Sequence, residues 1–540
     1  MSNDSPQGKR NILEGDSALK LWRKGAEAWN AWINNNPDWY INFSDIDFSD
    51  EHDKDGMLSF AAYDFGEGDV SFARTNFGEG DVIFFKAKFK GKEISFREAN
   101  FGKGQVNFLG TEFGNSNVSF FHTTFRSDDV SFLGCSFGTG AIDFHGTEFG
   151  NSGVTFAGVK FGAGYVNFNE AIFGNGDVNF TNAIFGEGEV QFIDTTFGNC
   201  DVYFDGARFE QCNLDFNGAK FGDGFLNFNG ATFDGGWVDF SETDFGTGLI
   251  NFTKSQFSEG DLIFTKARFG DGALVFNRVT APVLFFNPET FQSSRIEAQG
   301  LTITKLAIFA LPECANTLTS FDLFGSSFDG PLFLTGKLNI IPDLRATRSS
   351  NQVELSGLEI KLHRASQKKN FLRCFSAISK DRKISERLRR LKEIAESNKD
   401  HQAALRFAAD ENRARRWTET SWLGSGLDLA FSGFCNYGQS ILRPFLWLGF
   451  FFALGVILYF SLAAEKCLGW LTTLKQSTLL SISNSLAFLP QSRDLRTATL
   501  DRLYSGDADF WVDAIMIGQG ALSFIFLFLI GLGLRNRFRL

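Results

Sequence analysis

Few residues in this chain are placed to do chemistry. Its five histidines, His52, His122, His145, His363 and His401, are isolated from one another and from any nucleophile. A general base needs a proton partner in hydrogen-bond reach, and a zinc ion needs several ligands in short spacing. The seven cysteines contain no C-x-x-C pair, so neither a disulfide framework nor a zinc site is expected. G-x-G runs abound, but none stands between a strand and a helix as a phosphate-binding G-x-G-x-x-G must. G-x-S-x-G, H-E-x-x-H and Walker motifs are missing. No catalytic, cofactor-binding or metal-binding residue is expected, nor a small-molecule substrate, and the chain reads as a non-enzyme.

What the residues do carry is a repeat. Phe stands at 72, 84, 96, 108, 120 and every twelfth position on to 276. A second series, Phe77, Phe89, Phe101, Phe113 and onward to Phe269, follows the first by five. Two residues before the first Phe stands a branched aliphatic such as Val70, Val82, Ile94 or Leu214. Two before the second stands a small residue, as at Thr75, Ala87, Ala99 and Cys135. Gly often follows the second Phe and often recurs two later, as in Gly162 and Gly164. The unit is V-x-F-x-x-A/T-x-F-G-x-G-x. With 66 Phe and 56 Gly but only 9 Pro among 540 residues, disorder and collagen are excluded.

The parity of this unit selects the backbone. Residues two apart share a face of a strand. Val and Phe therefore share one face, and Ala and the second Phe share a face, but the parity changes between the pairs. A straight strand would be apolar on both sides, which invites aggregation. A corner between the pairs turns both inward, and short strands joined by repeated corners make an all-β solenoid. The corner glycines are expected to bulge outward at positive φ. Cys135 fills a small inward position, whereas Cys200 and Cys212 are expected on equivalent outward corners. His122 and His145 should face solvent.

The unit resembles the pentapeptide-repeat family, whose A-[D/N]-[L/F]-x-x motif is matched at Ala219-Lys220-Phe221 and Ala231-Thr232-Phe233. The resemblance implies a right-handed quadrilateral β-helix with the Phe and the small residue inside. This sequence differs by the two extra residues of the Gly corner. Four sides would then close a 24-residue coil, with Phe72 beneath Phe96.

An end coil needs a cap. Residues 16–33 read as an amphipathic helix with Asp16 or Ser17 at its N-cap, folding Trp22, Trp29 and Trp32 over the first coil. Tail and cap fill 1–64, regular coils 65–290, and degenerate coils 291–362; Pro282, Pro288, Pro312, Pro331 and Pro342 interrupt the pattern after Phe276. A helical linker is expected over 363–420, broken near Asn398–Asp400. The last segment, 421–540, reads as a membrane domain. Residues 444–464 and 514–534 are uncharged and each long enough to span a bilayer. Arg413, Arg415, Arg416 and Arg443 precede the first span, and Arg535, Arg537 and Arg539 follow the second. Both termini are therefore expected in the cytoplasm, with the chain multi-pass in the inner membrane.

Between the spans, 471–490 (LTTLKQSTLLSISNSLAFLP) is semi-apolar and rich in Ser and Thr. Two spans around such a segment resemble the pore module of potassium channels, which implies an ion-channel-like or mechanosensing protein. No TVGYG stands here to supply the carbonyl filter, and the favoured expectation is an interfacial or periplasmic helix. Residues 61–290 hold 30 acids against 15 bases, which accounts for the net charge of −11. Some family members are acidic DNA mimics. A tethered rod with Gly bulges is poorly suited to that role, so nucleic acid is disfavoured. The expected function is a membrane-anchored scaffold or protein-interaction module. Its partners would be the lipid bilayer and a protein, with homo-oligomerisation left open.

Overall fold

The computed structural model describes residues 11–293, 295–312, 318–349, 352–355, 357–360, 383–463, 469–486, 488–505 and 508–538. The chain divides into two compact units, Met1–His363 and Arg364–Leu540.

The first unit is a β-solenoid of about 14 turns. Its strands are two to four residues long through the regular part and pair only in parallel. Val82 lies beside Val106, Val106 beside Val130 and Val130 beside Val154 on one side. Val70, Ile94, Val118 and Ile142 do the same on another. Every step is 24 residues, two units per coil. Four columns of Phe fill the interior. Within a column the rings stack, as Phe120, Phe144 and Phe168 do at 4.8 Å with planes within 2° of parallel. Between columns they meet edge to face, as Phe144 does with Phe132 and Phe156 at 5.6 Å. This herringbone satisfies the ring quadrupoles. The small inward residue also ties neighbouring coils together. Thr111, Thr123 and Thr147 donate their hydroxyls to the Phe84, Phe96 and Phe120 carbonyls of the coil below at 2.7–2.8 Å.

The two kinds of corner differ from expectation. Positive φ falls chiefly two residues after the first Phe, where Arg74, Lys86, Glu98, His122 and Glu170 adopt φ of 52–57°. There a β-turn closes with Ala87 N–H donating to Phe84 O at 2.9 Å. At the Gly corner many glycines are not left-handed. A Cβ on Gly174 would instead lie 1.7 Å from Gly150 O of the coil below. Coils touch backbone to backbone at this corner, so glycine is needed for close approach more than for φ.

The cap is two helices, not one. Helix α1 (Gly15–Trp22) follows Glu14, and neither Asp16 nor Ser17 is its N-cap. Gly25, at φ 86°, then breaks the chain before α2 (Ala26–Asn35). Trp22 and Trp29 close the column as expected. Trp22 lies 5.5 Å from Phe48 and Phe60, and Trp29 Nε1 donates to Asp64 O at 2.9 Å. Trp32 instead packs edge-on against Trp39 at the side. The first inward rings, Phe43 and Phe48, precede residue 65, and Ile41 already pairs with Val70. Past Phe276 the step drifts. Leu274 pairs with Ile296, Thr302 with Ser327, and Ser327 with Arg348. Strands lengthen to nine residues at Thr302–Ala310, and the register slips beside Pro282, which lacks a ladder donor.

The second unit is helical: α3 (Ile384–Ser397), α4 (His401–Arg415), α5 (Trp422–Cys435), α6 (Leu442–Leu462), α7 (Trp470–Ser485), α8 (Pro490–Tyr504) and α9 (Phe510–Phe538). The break between α3 and α4 falls at Asn398–Asp400, where the Asp400 side chain caps α4 through Ala403 N–H. The start of the expected linker, 363–382, lies outside the described residues. Helices α6 and α9 are each long and apolar enough to cross a membrane. The first begins two residues before 444, and the second overruns 514–534 at both ends.

Candidate functional site

The residues first considered for chemistry are scattered by the fold. His122 is exposed and His145 half-buried, their rings 5.8 Å apart and both against Phe121, over which Arg97 lies at 4.3 Å. Among the described residues neither imidazole has a carboxylate partner. His52 packs over Gly78 and Gly80 at the cap, and His401 begins α4. His363 lies outside the described residues. Cys135 takes the inward Thr position and its thiol points to Phe108 O at 2.9 Å. Cys200 and Cys212 are not outward: both are buried, at 4% and 1% exposure. They replace the second Gly of the corner, half a coil apart, on opposite sides of the column. Burial pushes all three thiols up to about 12, so they are poor nucleophiles at neutral pH. Among the described residues no three His, Cys, Asp or Glu side chains gather as metal ligands.

On the solenoid surface one concavity stands out. Gln105, Asp129, Gly153 and Asp177 are successive residues of one outward column, and the missing side chain at Gly153 leaves a groove of about 450 Å³. Asn107, Ser131, Thr155 and Asn179 form its other wall. The lining is polar and acidic, and it offers hydrogen bonds at a regular coil spacing.

The densest polar constellation lies in the helical unit. Gln519 on α9 accepts from Tyr459 Oη of α6 at 2.8 Å and donates to Ser481 Oγ of α7 at 2.7 Å. Asn484 on α7 donates to Met516 O at 2.7 Å and to Tyr459 Oη at 3.2 Å. Ser481 in turn donates to Phe452 O at 2.9 Å. Gly455 lets α6 approach, since a Cβ there would lie 2.7 Å from Gln519 Nε2 and 2.8 Å from Ser481 Oγ. The helical part of segment 471–490, α7, is hydrogen-bonded to both apolar helices. Phe452 stands ten residues into α6, about 15 Å along it at 1.5 Å per residue. Gln476 Oε1, Ser477 Oγ and Ser523 Oγ are buried without a hydrogen-bond partner. Each such group costs free energy unless water or another chain meets it. Outward, the same helices are apolar: Phe445, Ile457, Ile517, Phe524 and Phe528 are 60–74% exposed.

Sequence reasoning singled out the Ser- and Thr-rich segment 471–490, which holds Ser481, but did not single out Tyr459, Asn484 or Gln519. Gln519 was findable, because an amide in an uncharged stretch long enough to span a bilayer must find a hydrogen-bond partner on a neighbouring helix. No family model, curated protein or solved structure matches the chain.

Proposed function

We propose that this chain is a non-enzymatic scaffold anchored in a membrane by α6 and α9. The observation that carries this reading is the contrast between a filled aromatic interior, which leaves the solenoid only its surface to work with, and two long helices whose outward faces are apolar. In soluble proteins helices of that hydropathy are mostly buried, whereas the apolar windows of these two are only 11% and 22% buried. The groove over Gly153 is the docking surface for a protein partner, and its wall of Asp129, Asp177 and amides suits a basic or amide-rich segment. Both termini lie on the side of the arginines that flank the spans, the cytoplasm. Alkaline carbonate extraction tests the anchor: release of intact chain from membranes ends the reading. Crosslinking from membranes tests the docking. Gly153→Lys, which fills the groove and reverses its charge, should abolish adducts that wild type forms.

A second reading is a conducting pore, favoured by the Tyr459–Ser481–Asn484–Gln519 cluster and its unpartnered neighbours. Planar-bilayer recording decides it. A unitary conductance altered by Ser481→Ala or Asn484→Leu supports a pore, and silence in wild type removes it.

A further inference from the structure

A cleft of about 290 Å³ opens in the helical unit between α4, the α5–α6 turn and the end of α9. Gln402, Leu405 and Arg406 line it from α4, Gly438 and Gln439 from the turn, and Asn536 and Arg537 from α9. No acid contributes to the wall. Elsewhere in this unit arginines find carboxylates: Arg389 pairs with Glu411, Arg413 with Asp410, Arg415 with Glu419, and Arg416 with Asp428. Arg406 and Arg537 have no such partner among the described residues, and both are exposed.

The floor of the cleft is built rather than loose. Asn436, Tyr437 and Gly438 are three successive left-handed residues, with φ of 50°, 56° and 77°. Such a turn persists only where its surroundings fix it. Here Asn536 Nδ2 donates to Gly438 O at 3.1 Å and Gln439 Nε2 donates to Leu405 O at 2.9 Å. These bonds tie the three walls together, and Arg406 and Arg537 line the one opening they enclose. The cleft also has a fixed place along the apolar helices. Asn536 and Arg537 stand just past Leu534, where the apolar run of α9 ends, and the turn leads directly into Leu442 at the start of α6.

We infer that this cleft binds the phosphate of an anionic phospholipid headgroup. Guanidinium forks match phosphate oxygens in geometry and stay charged at any physiological pH. Basic pockets between helices at the membrane border are suited to such headgroups. The volume, against about 30 Å³ of liquid per water, admits a phosphoglycerol group and not merely one ion. The inference rests on the reading that α6 and α9 cross a bilayer.

The test uses the full chain purified in mild detergent and native mass spectrometry with added phosphatidylglycerol or phosphatidylcholine. Wild type should retain phosphatidylglycerol and not phosphatidylcholine. Arg406→Gln with Arg537→Gln should lower that retention by about tenfold or more, since two charge-assisted contacts are lost. The paired Lys variants should fall between, because they keep charge without the fork. Arg493→Gln, on α8, should match wild type. Equal retention by wild type and the double Gln variant overturns the inference. Displacement of phosphatidylglycerol by inorganic phosphate as readily as by the lipid itself assigns the cleft to soluble phosphate and also overturns it. Flotation of each variant with vesicles separates this from failure of the anchor. A variant that floats but no longer retains the lipid has lost the cleft alone, whereas wild type that does not float has lost the membrane reading.

Discussion

The solenoid and the helical unit are packed differently. In the solenoid the interior is aromatic and the polar ladders lie outside. In the helical unit a buried polar cluster of Tyr459, Ser481, Asn484 and Gln519 joins α6, α7 and α9 beside apolar clusters around Leu480 and Phe526, while many other large apolar side chains point outward. A water-facing fold gains by hiding Phe, at roughly 1.5–3 kcal/mol for each ring buried. A lipid-facing helix gains nothing that way, because hydrocarbon surrounds it already, so association falls to small residues and hydrogen bonds. Gly455 and the Gln519 amide supply those. On the proposed membrane reading the two units answer to two solvents.

The largest expected effect removes one ring from the solenoid. Phe144→Ala takes away two stacked and two edge-on neighbours and should cost about 3–5 kcal/mol. Because coils touch only their neighbours, the damage should be local. Hydrogen exchange should speed up in the coils around residue 144 while those near Phe240 keep their protection. Uniform loss along the column would contradict nearest-neighbour coupling. Next comes Gly174→Ala, whose Cβ has no room above Gly150 O. Forcing the coils apart should cost about 1–3 kcal/mol, read as a lower midpoint of thermal unfolding. A neutral result would remove close approach as the reason for glycine at this position.

Gln519→Leu probes the opposite pole of the comparison. It makes the helical core more apolar, which would help a water-soluble protein. Here it removes the acceptor of the Tyr459 hydroxyl and a donor to Ser481 Oγ, and double-mutant experience in membranes puts such bonds at about 0.6–1.7 kcal/mol. The variant should denature at lower detergent challenge than wild type. If it gains stability, the unit packs as a soluble core and the contrast fails.

These contrasts also explain what was legible in the sequence. The 5-and-7 spacing of Phe dictated inward turns, because parity is a local property, and the solenoid followed from it. The reason for the corner glycines was not local. Gly174 is constrained by Gly150, a residue one coil away, and no single-unit argument sees that neighbour. The same blindness put Cys200 and Cys212 outside. The hydroxyl bond from Thr147 to Phe120 O was likewise hidden, since Ala serves at the same position in other coils. In the helical unit hydropathy found α6 and α9 within a few residues. It could not find the place of α7, because Ser481, Asn484 and Ser485 make an ordinary polar helix face until Gln519 and Tyr459 are brought against them.

Acid sharpens a comparison within the solenoid itself, and its effect is the smallest. At the capped end Asp45 is held below its ordinary value by the Arg74 hydrogen bond, Asp47 by Ser49 and Glu51 by Arg23. In the middle coils burial raises Asp215, with Asp239 adding repulsion, and burial raises Asp205. A lowered carboxyl contributes stability that is present above its unfolded value and is lost as pH falls through the folded one. A raised carboxyl acts in reverse: the folded state binds the proton more tightly, so stability rises as pH falls from neutral toward its unfolded value. Between neutrality and about pH 4, near the ordinary Asp value, the coils holding Asp205 and Asp215 should gain protection. The coil holding Asp45, Asp47 and Glu51 should begin to lose it at the acid end of that range and lose more below it. Hydrogen exchange, corrected for the intrinsic rate at each pH, reads both ends of the column in one protein. Asp215→Asn should flatten the middle response and leave that of the cap unchanged. A cap and middle that respond alike would mean that burial and ion pairing do not set these carboxyls apart.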